Sequence, residues 1–111
     1  GREKARELWE AYGPLDALVC ATDNMAVGAL QYLKSQGVRV PEEVRLTGQG
    51  ASSLSGVTTP AITSIRYFYK ESGANAASLL LERLENPEVP AKEIKLGYAI
   101  VERESTSAGL L

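Results

Sequence analysis

One stretch constrains the fold more than any other: Leu15 to Gly37, LDALVCATDNMAVGALQYLKSQG. It opens on the apolar run Ala17–Ala21, too short for a buried helix and the right length for a strand covered on both faces. Thr22, Asp23 and Asn24 follow, and each can accept the free N–H groups that begin a helix. Apolar residues then recur at Ala26, Ala29 or Leu30, and Leu33, which is one face of a helix. Gly37 stops it as a C-cap. Strand, polar elbow and helix form the repeating unit of an α/β fold. In open parallel sheets, ligands bind where strand carboxyl ends meet helix N-termini, so Thr22 and Asp23 stand where a polar small molecule would be met.

The same order continues along the chain. Arg2–Ala11 favours helix, with Trp9 read as a helix-to-sheet packing residue, and Gly13-Pro14 ends it. Val38–Glu43 is a connector and Val44–Thr47 a second strand. Gly48-Gln49-Gly50 marks a tight turn or a close backbone approach. As a phosphate loop it is weak, lacking a third glycine or a Gly-Lys-Ser/Thr sequel. Ala51–Pro60 reads as loop, in which Leu54 and Val57 either tuck into the domain or meet a partner. Ala61–Arg66 alternates as a third strand, and Tyr67-Phe68-Tyr69 suits a core edge or a pocket wall. Lys70–Glu85 is a helix whose buried stripe is Gly73, Ala76 or Ala77, Leu80 and Leu84. Glu93–Glu102 supplies one or two strands bent at Gly97, and Arg103–Leu111 a polar tail that frays. This order predicts a parallel-type α/β architecture. The last helix, however, presents an apolar stripe for which the chain offers no sheet.

Composition excludes several chemistries. With 12 Lys and Arg against 14 acids, no basic footprint for nucleic acid exists. A single cysteine rules out an internal disulfide framework, and Cys20 reads as a small buried hydrophobe. Histidine is absent, which removes Ser-His and Cys-His catalysis and the commonest metal ligand together. Ser52, Ser53 and Ser55 thus lack a base, and Asp16 and Asp23 are too few for a hard-cation cage. No catalytic residue, metal or cofactor is expected. No apolar run approaches the ~18 residues of a membrane span. The chain begins with Gly and passes directly into a helix, so a fragment of at most one domain is expected from its 111 residues. Thr22, Asp23 and Gln49 are uncharged or acidic hydrogen-bonders at strand ends, a chemistry suited to sugar hydroxyls. Helix capping alone would also account for Asp23.

Ala21-Thr22-Asp23-Asn24-Met25-Ala26-Val27-Gly28-Ala29-Leu30, Gly37, Val40-Pro41, Gly48, Thr59-Pro60-x-Ile62-Thr63-Ser64-Ile65 and Val101-Glu102-Arg103-Glu104-Ser105-Thr106 together resemble the lac/galactose repressor family of bacterial regulators. Gly48-Gln49-Gly50-Ala51 further resembles sucrose-operon repressors within it. The resemblance implies an α/β fold, a parallel-sheet lobe of a two-lobed periplasmic-binding-protein-like structure. Residues 1–65 would belong to the C-terminal lobe, 66–97 to a crossover and the N-terminal lobe's last helix, and 98–111 to the return and tail. It implies effector contacts at Thr22, Asp23, Gln49 and Tyr67, but relatives carry an aromatic and two Asp where this chain has Gln49-Gly50-Ala51, so that carboxylate contact is missing. It places a homodimer interface at Val27, Gln31 and Ser35 on one helix face, with Leu54 and Val57 from the loop. The implied partners are a sugar effector (sucrose, fructose or a phosphorylated sugar), a second copy, and operator DNA through a domain outside this chain, in the cytoplasm. The rival readings are a transporter's soluble sugar-binding protein and an α/β enzyme lobe.

Overall fold

The computed structural model describes residues 1–107 and divides the chain into two units, Gly1–Arg66 with the segment from Ala99 onward, and Tyr67–Tyr98. The first unit holds helices α1 (Arg2–Tyr12), α2 (Asp23–Ser35) and α3 (Ser53–Val57), strands β1 (Ala17–Val19) and β2 (Arg45–Gln49), and a closing 3-10 turn at Glu104–Thr106. Strand β3 (Thr63–Tyr67) leads the chain into the second unit, which carries α4 (Tyr69–Glu85), and β4 (Tyr98–Val101) leads it back. The sheet order is β1-β2-β3-β4, with β1 parallel to β2 and β2 parallel to β3. The chain therefore has the α/β architecture expected of it.

Leu18 pairs with Leu46 across β1 and β2, and both are buried in the core with Ala26, Ala29, Leu30 and Leu33 of α2. Leu33, Val44, Leu46 and Ile62 are its largest fully buried apolar side chains. Helix α2 ends in a Schellman motif: the Gly37 N–H donates to Lys34 O at 3.0 Å and the Val38 N–H to Leu33 O at 3.0 Å. Gly37 takes φ 71°, a conformation glycine adopts without a steric penalty. Helix α1 packs on α2, Ala5 being buried and Trp9 half-buried against the core. The crossing is close at Gly28, where a Cβ would come 2.6 Å from the Arg2 backbone nitrogen.

Several sequence expectations are corrected. Strand β1 is not enclosed on both faces, because its residues alternate exposed, buried, exposed and Val19 is 79% exposed. Cys20 is half-buried rather than fully enclosed. Residues 53–57, expected as loop, form the short helix α3, whose first turn is closed by the buried Ser55 donating from its N–H and its hydroxyl to Ser52 O. Strand pairing continues through Gly48 and Gln49, and the turn falls instead at Gly50 (φ 111°) and Ala51 (φ 46°). Of Glu93–Glu102, only Tyr98–Val101 is strand. The stripe of α4 is not buried: Leu80 and Leu84 are 61% and 69% exposed, and no described residue covers them.

The expected fraying tail is the largest correction. Ser105 is fully buried, its N–H donates to Ala61 O at 2.9 Å, and its hydroxyl accepts from the Thr63 N–H at 2.9 Å and donates to Leu46 O. Arg103 Nη1 donates to Ser55 Oγ and to Ile62 O, both at 2.9 Å. Hydrogen bonds that the polar sequence suggested would go to water go instead to strand ends. The part of the tail at 108–111 lies outside the described residues.

Candidate functional site

A crevice of about 170 Å³ opens at the carboxyl ends of β1 and β2, over the start of α2, lined by Thr22, Asp23, Asn24, Gln49 and Ser52. Thr22 is the N-cap of α2: extended at φ −143°, ψ 160°, it turns its Oγ1 to accept the Met25 N–H at 3.1 Å. This satisfies one orphan donor of the helix start. Thr22 and Asn24 are exposed and Gln49 is half-buried.

Asp23 is different, being 3% exposed. Its Oδ1 accepts the Ser64 hydroxyl at 2.7 Å, and its Oδ2 accepts both the Ser52 N–H at 2.7 Å and the Ser52 hydroxyl at 2.8 Å. Ser64 Oγ in turn accepts the Ala51 N–H at 2.8 Å. The carboxylate thus ties the start of α2 to β3 and to the turn before α3. Burial pushes its pKa up, but hydrogen bonds from Ser64 and from the Ser52 backbone and hydroxyl outweigh that, leaving it below the ordinary carboxylate value. Asp23 also carries the helix-start charge that the macrodipole favours.

Beneath this layer the hydrogen bonds continue, from Ser52 O to the Ser55 hydroxyl at 2.7 Å and from Ser55 Oγ to Arg103 at 2.9 Å. Thr63 Oγ1 accepts the Arg103 N–H at 2.8 Å. Buried polar groups in this unit are therefore paired with one another, which makes the crevice floor rigid.

The structure brings Thr22, Asp23 and Gln49 together at one opening. Tyr67 belongs to the second unit, where its ring meets that of Tyr69 edge-on at 5.9 Å beside a hollow of about 300 Å³ that Phe68, Ser72, Ile94 and Leu96 also line. Asn24 and Ser52 line the crevice without having been singled out as binding residues. Asn24 was legible only as one of three possible caps, and Ser52 only as a serine without a histidine.

Of the proposed interface residues, Gln31 and Ser35 are exposed on α2, with Ser35 Oγ donating to Tyr32 O at 2.6 Å. Leu54 and Val57 are 37% and 75% exposed on α3, which adjoins α2. Val27 is half-buried and packs against the core.

The crevice offers hydrogen-bond donors and acceptors from Thr22, Asn24, Gln49 and Ser52. A larger hollow of about 260 Å³ between α1 and β1 is lined mainly by apolar side chains such as Leu8, Leu18, Val19 and Met25. Among the described residues, no group of three or more His, Cys, Asp or Glu could hold a metal ion, and no helix is long and apolar enough to cross a membrane.

Comparison with known proteins points the same way. The family profile described as "Periplasmic binding protein-like domain" matches residues 1–106. The chain is 31% identical over 108 residues to the transcriptional repressor CytR of Escherichia coli, covering 97% of this chain and 32% of that protein. It superposes on the transcriptional regulator CelR–cellobiose complex with a TM-score of 0.87 at 31% identity, covering 91% of this chain and 31% of that one. A LacI family transcriptional regulator from Arthrobacter superposes with a TM-score of 0.82 at 29% identity, covering 95% of this chain and 40% of the other. The chain spans about a third of the length of the curated relatives it matches. From its first residue to Thr106, then, this chain belongs to the periplasmic binding protein-like domain family, and its structural neighbours are LacI-family regulators.

Proposed function

We propose that this chain is the effector-binding and dimerisation part of a sugar-responsive transcriptional repressor of the cytoplasm, whose DNA-reading domain lies outside it. The observation that carries this reading is the crevice at the strand carboxyl ends, where Thr22, Asn24, Gln49 and Ser52 present uncharged hydrogen-bonding side chains over a clamped helix start. That lining matches sugar hydroxyls, which need both donors and acceptors. The unit Gly1–Arg66 would be most of the C-terminal lobe, and Tyr67–Tyr98 a piece of the N-terminal lobe that contains Tyr67. The exposed Gln31, Ser35, Leu54 and Val57 would contribute to an isologous dimer contact. Effector binding would favour one state of the full-length protein and so shift the DNA-binding population.

The one sugar named among the relatives above is cellobiose, so the likeness to sucrose-operon repressors has no support from them. The departure at Gly50-Ala51 sets the effector's chemistry apart from that of relatives with two acids there.

The test uses the full-length protein. Titration calorimetry against glucose, fructose, sucrose, ribose and cellobiose should find at least one ligand, and that ligand should change affinity for the DNA upstream of the protein's own gene. Thr22→Leu should abolish the response while the protein stays folded. Failure of every sugar to bind, or an unaltered response in Thr22→Leu, would remove the crevice from this role.

A further inference from the structure

We propose that Ser52 is a specificity-determining residue of this crevice: it accepts a hydrogen bond from a hydroxyl of a neutral polyhydroxyl effector, and its wall rejects the phosphorylated form of the same sugar. The inference rests on the sugar-sensor reading and deepens it.

The protons around Ser52 have only one arrangement. Asp23 Oδ2 receives the Ser52 backbone N–H at 2.7 Å, and an N–H can only donate, so this oxygen is an acceptor. The Ser52 hydroxyl, 2.8 Å from the same oxygen, therefore points its proton inward. Oδ1 is likewise taken by the Ser64 hydroxyl at 2.7 Å, and Ser64 Oγ is held in that sense by the Ala51 N–H at 2.8 Å. Ser52 is exposed to the crevice and offers it only lone pairs. Thr22 is the reverse case. Its Oγ1 lone pair accepts the Met25 N–H at 3.1 Å, which leaves its hydroxyl proton to donate.

A polyhydroxyl ligand carries groups that both donate and accept, so it suits a crevice lined by a Ser52 acceptor and a Thr22 donor. A phosphate oxygen only accepts. Against Ser52 it would set lone pair against lone pair, with the Asp23 carboxylate behind and no Lys or Arg among the lining residues to offset its charge. An acceptor built for a donor discriminates strongly, because a ligand lacking the donor leaves the site's own polar group unpaired.

The experiment measures binding to the full-length protein by calorimetry. The probes are the tightest-binding sugar of the five named above, its monodeoxy analogues and its monophosphates, each with wild type, Ser52→Ala and Ser52→Thr. One monodeoxy analogue should bind wild type about tenfold more weakly than the parent sugar, yet match the parent in Ser52→Ala. Ser52→Thr, which keeps the hydroxyl, should restore the difference. The monophosphate at that same hydroxyl should bind wild type more than about tenfold below its parent. That coupling to a single ligand hydroxyl is a readout that loss of packing would not produce. If every analogue loses the same factor in both proteins, or the monophosphate at the coupled hydroxyl equals its parent, the role of Ser52 is overturned while the sugar-sensor reading stands. If wild type binds no sugar at all, both fall.

Discussion

Gly48 lies against Asp23 so closely that a Cβ on the glycine would collide with the aspartate's Oδ1 and stand 3.1 Å from its Cα. Strand β2 and the start of α2 meet at this point because one of them has no side chain there. Gly48→Ala should therefore push the Asp23 carboxylate off its serine partners and crowd the helix start behind it. The expected loss is about 2–3 kcal/mol, read as a lower urea midpoint. Binding of the effector should weaken as well, since the Asp23–Ser52 clamp is disturbed. An alanine variant with wild-type stability would show that the backbone yields more easily than this contact implies.

Acid should reveal the Asp23 clamp. A carboxyl whose pKa is lower in the folded state than in the unfolded chain stabilises the fold fully above its unfolded value, and that contribution is lost as pH falls through the folded value. Hydrogen bonds from Ser64 and Ser52 overcome burial and place Asp23 in this class. Asp23→Asn should cost about 1.5–3 kcal/mol at neutral pH, with the gap to wild type narrowing below the ordinary carboxylate range. Thermal unfolding from pH 7 downward measures it. A gap independent of pH would mean the charge of Asp23 adds nothing to its hydrogen bonds.

Ser105 should behave as a core residue despite its polar, near-terminal position. Ser105→Ala leaves the Thr63 N–H and the Leu46 carbonyl without their buried partner. The cost should be about 1–3 kcal/mol by chemical denaturation. Ser78→Ala, on the exposed surface of α4, should stay within about 0.5 kcal/mol. Equal effects from the two would return the 103–107 segment to the status of a loose tail.

Val57→Asp is the sharpest probe of the proposed dimer contact, because Val57 is 75% exposed and its loss disturbs no core packing. In the full-length protein it should shift sedimentation toward monomer with little change in melting temperature. Val27→Asp confounds the question, since Val27 also packs on the core. An unaltered dimer in Val57→Asp would take α3 out of the interface.

Short-range signals in the chain were legible. The β1–α2 unit, the Gly37 stop and the α1 helix all depend on neighbours within a turn or two, where residue spacing and backbone preference decide, whereas the choice of Thr22 over Asp23 and Asn24 as the helix cap was left open by the sequence. Gly48-Gln49-Gly50 was legible in kind, as a turn or a close approach, but not in assignment: Gly48 took the close approach and Gly50 the turn. The residues that were misread share a different property. Asp23 finds Ser52 at 29 positions' distance and Ser64 at 41, and Ser105 finds Leu46 at 59. A serine run carries the same local signal whether its hydroxyls face water or a carboxylate.

The sequence by itself determined the alternation of strands and helices and which strand ends bear polar side chains, because those follow from periodicity and capping along a contiguous chain. Only the tertiary structure decided that Asp23 is a tether, that Ser52 faces the crevice with its proton turned inward, and that the closing segment is part of the core. Each of those depends on which distant donor reaches which acceptor, and hydrogen-bond partners are chosen by where the packed sheet and helices bring them.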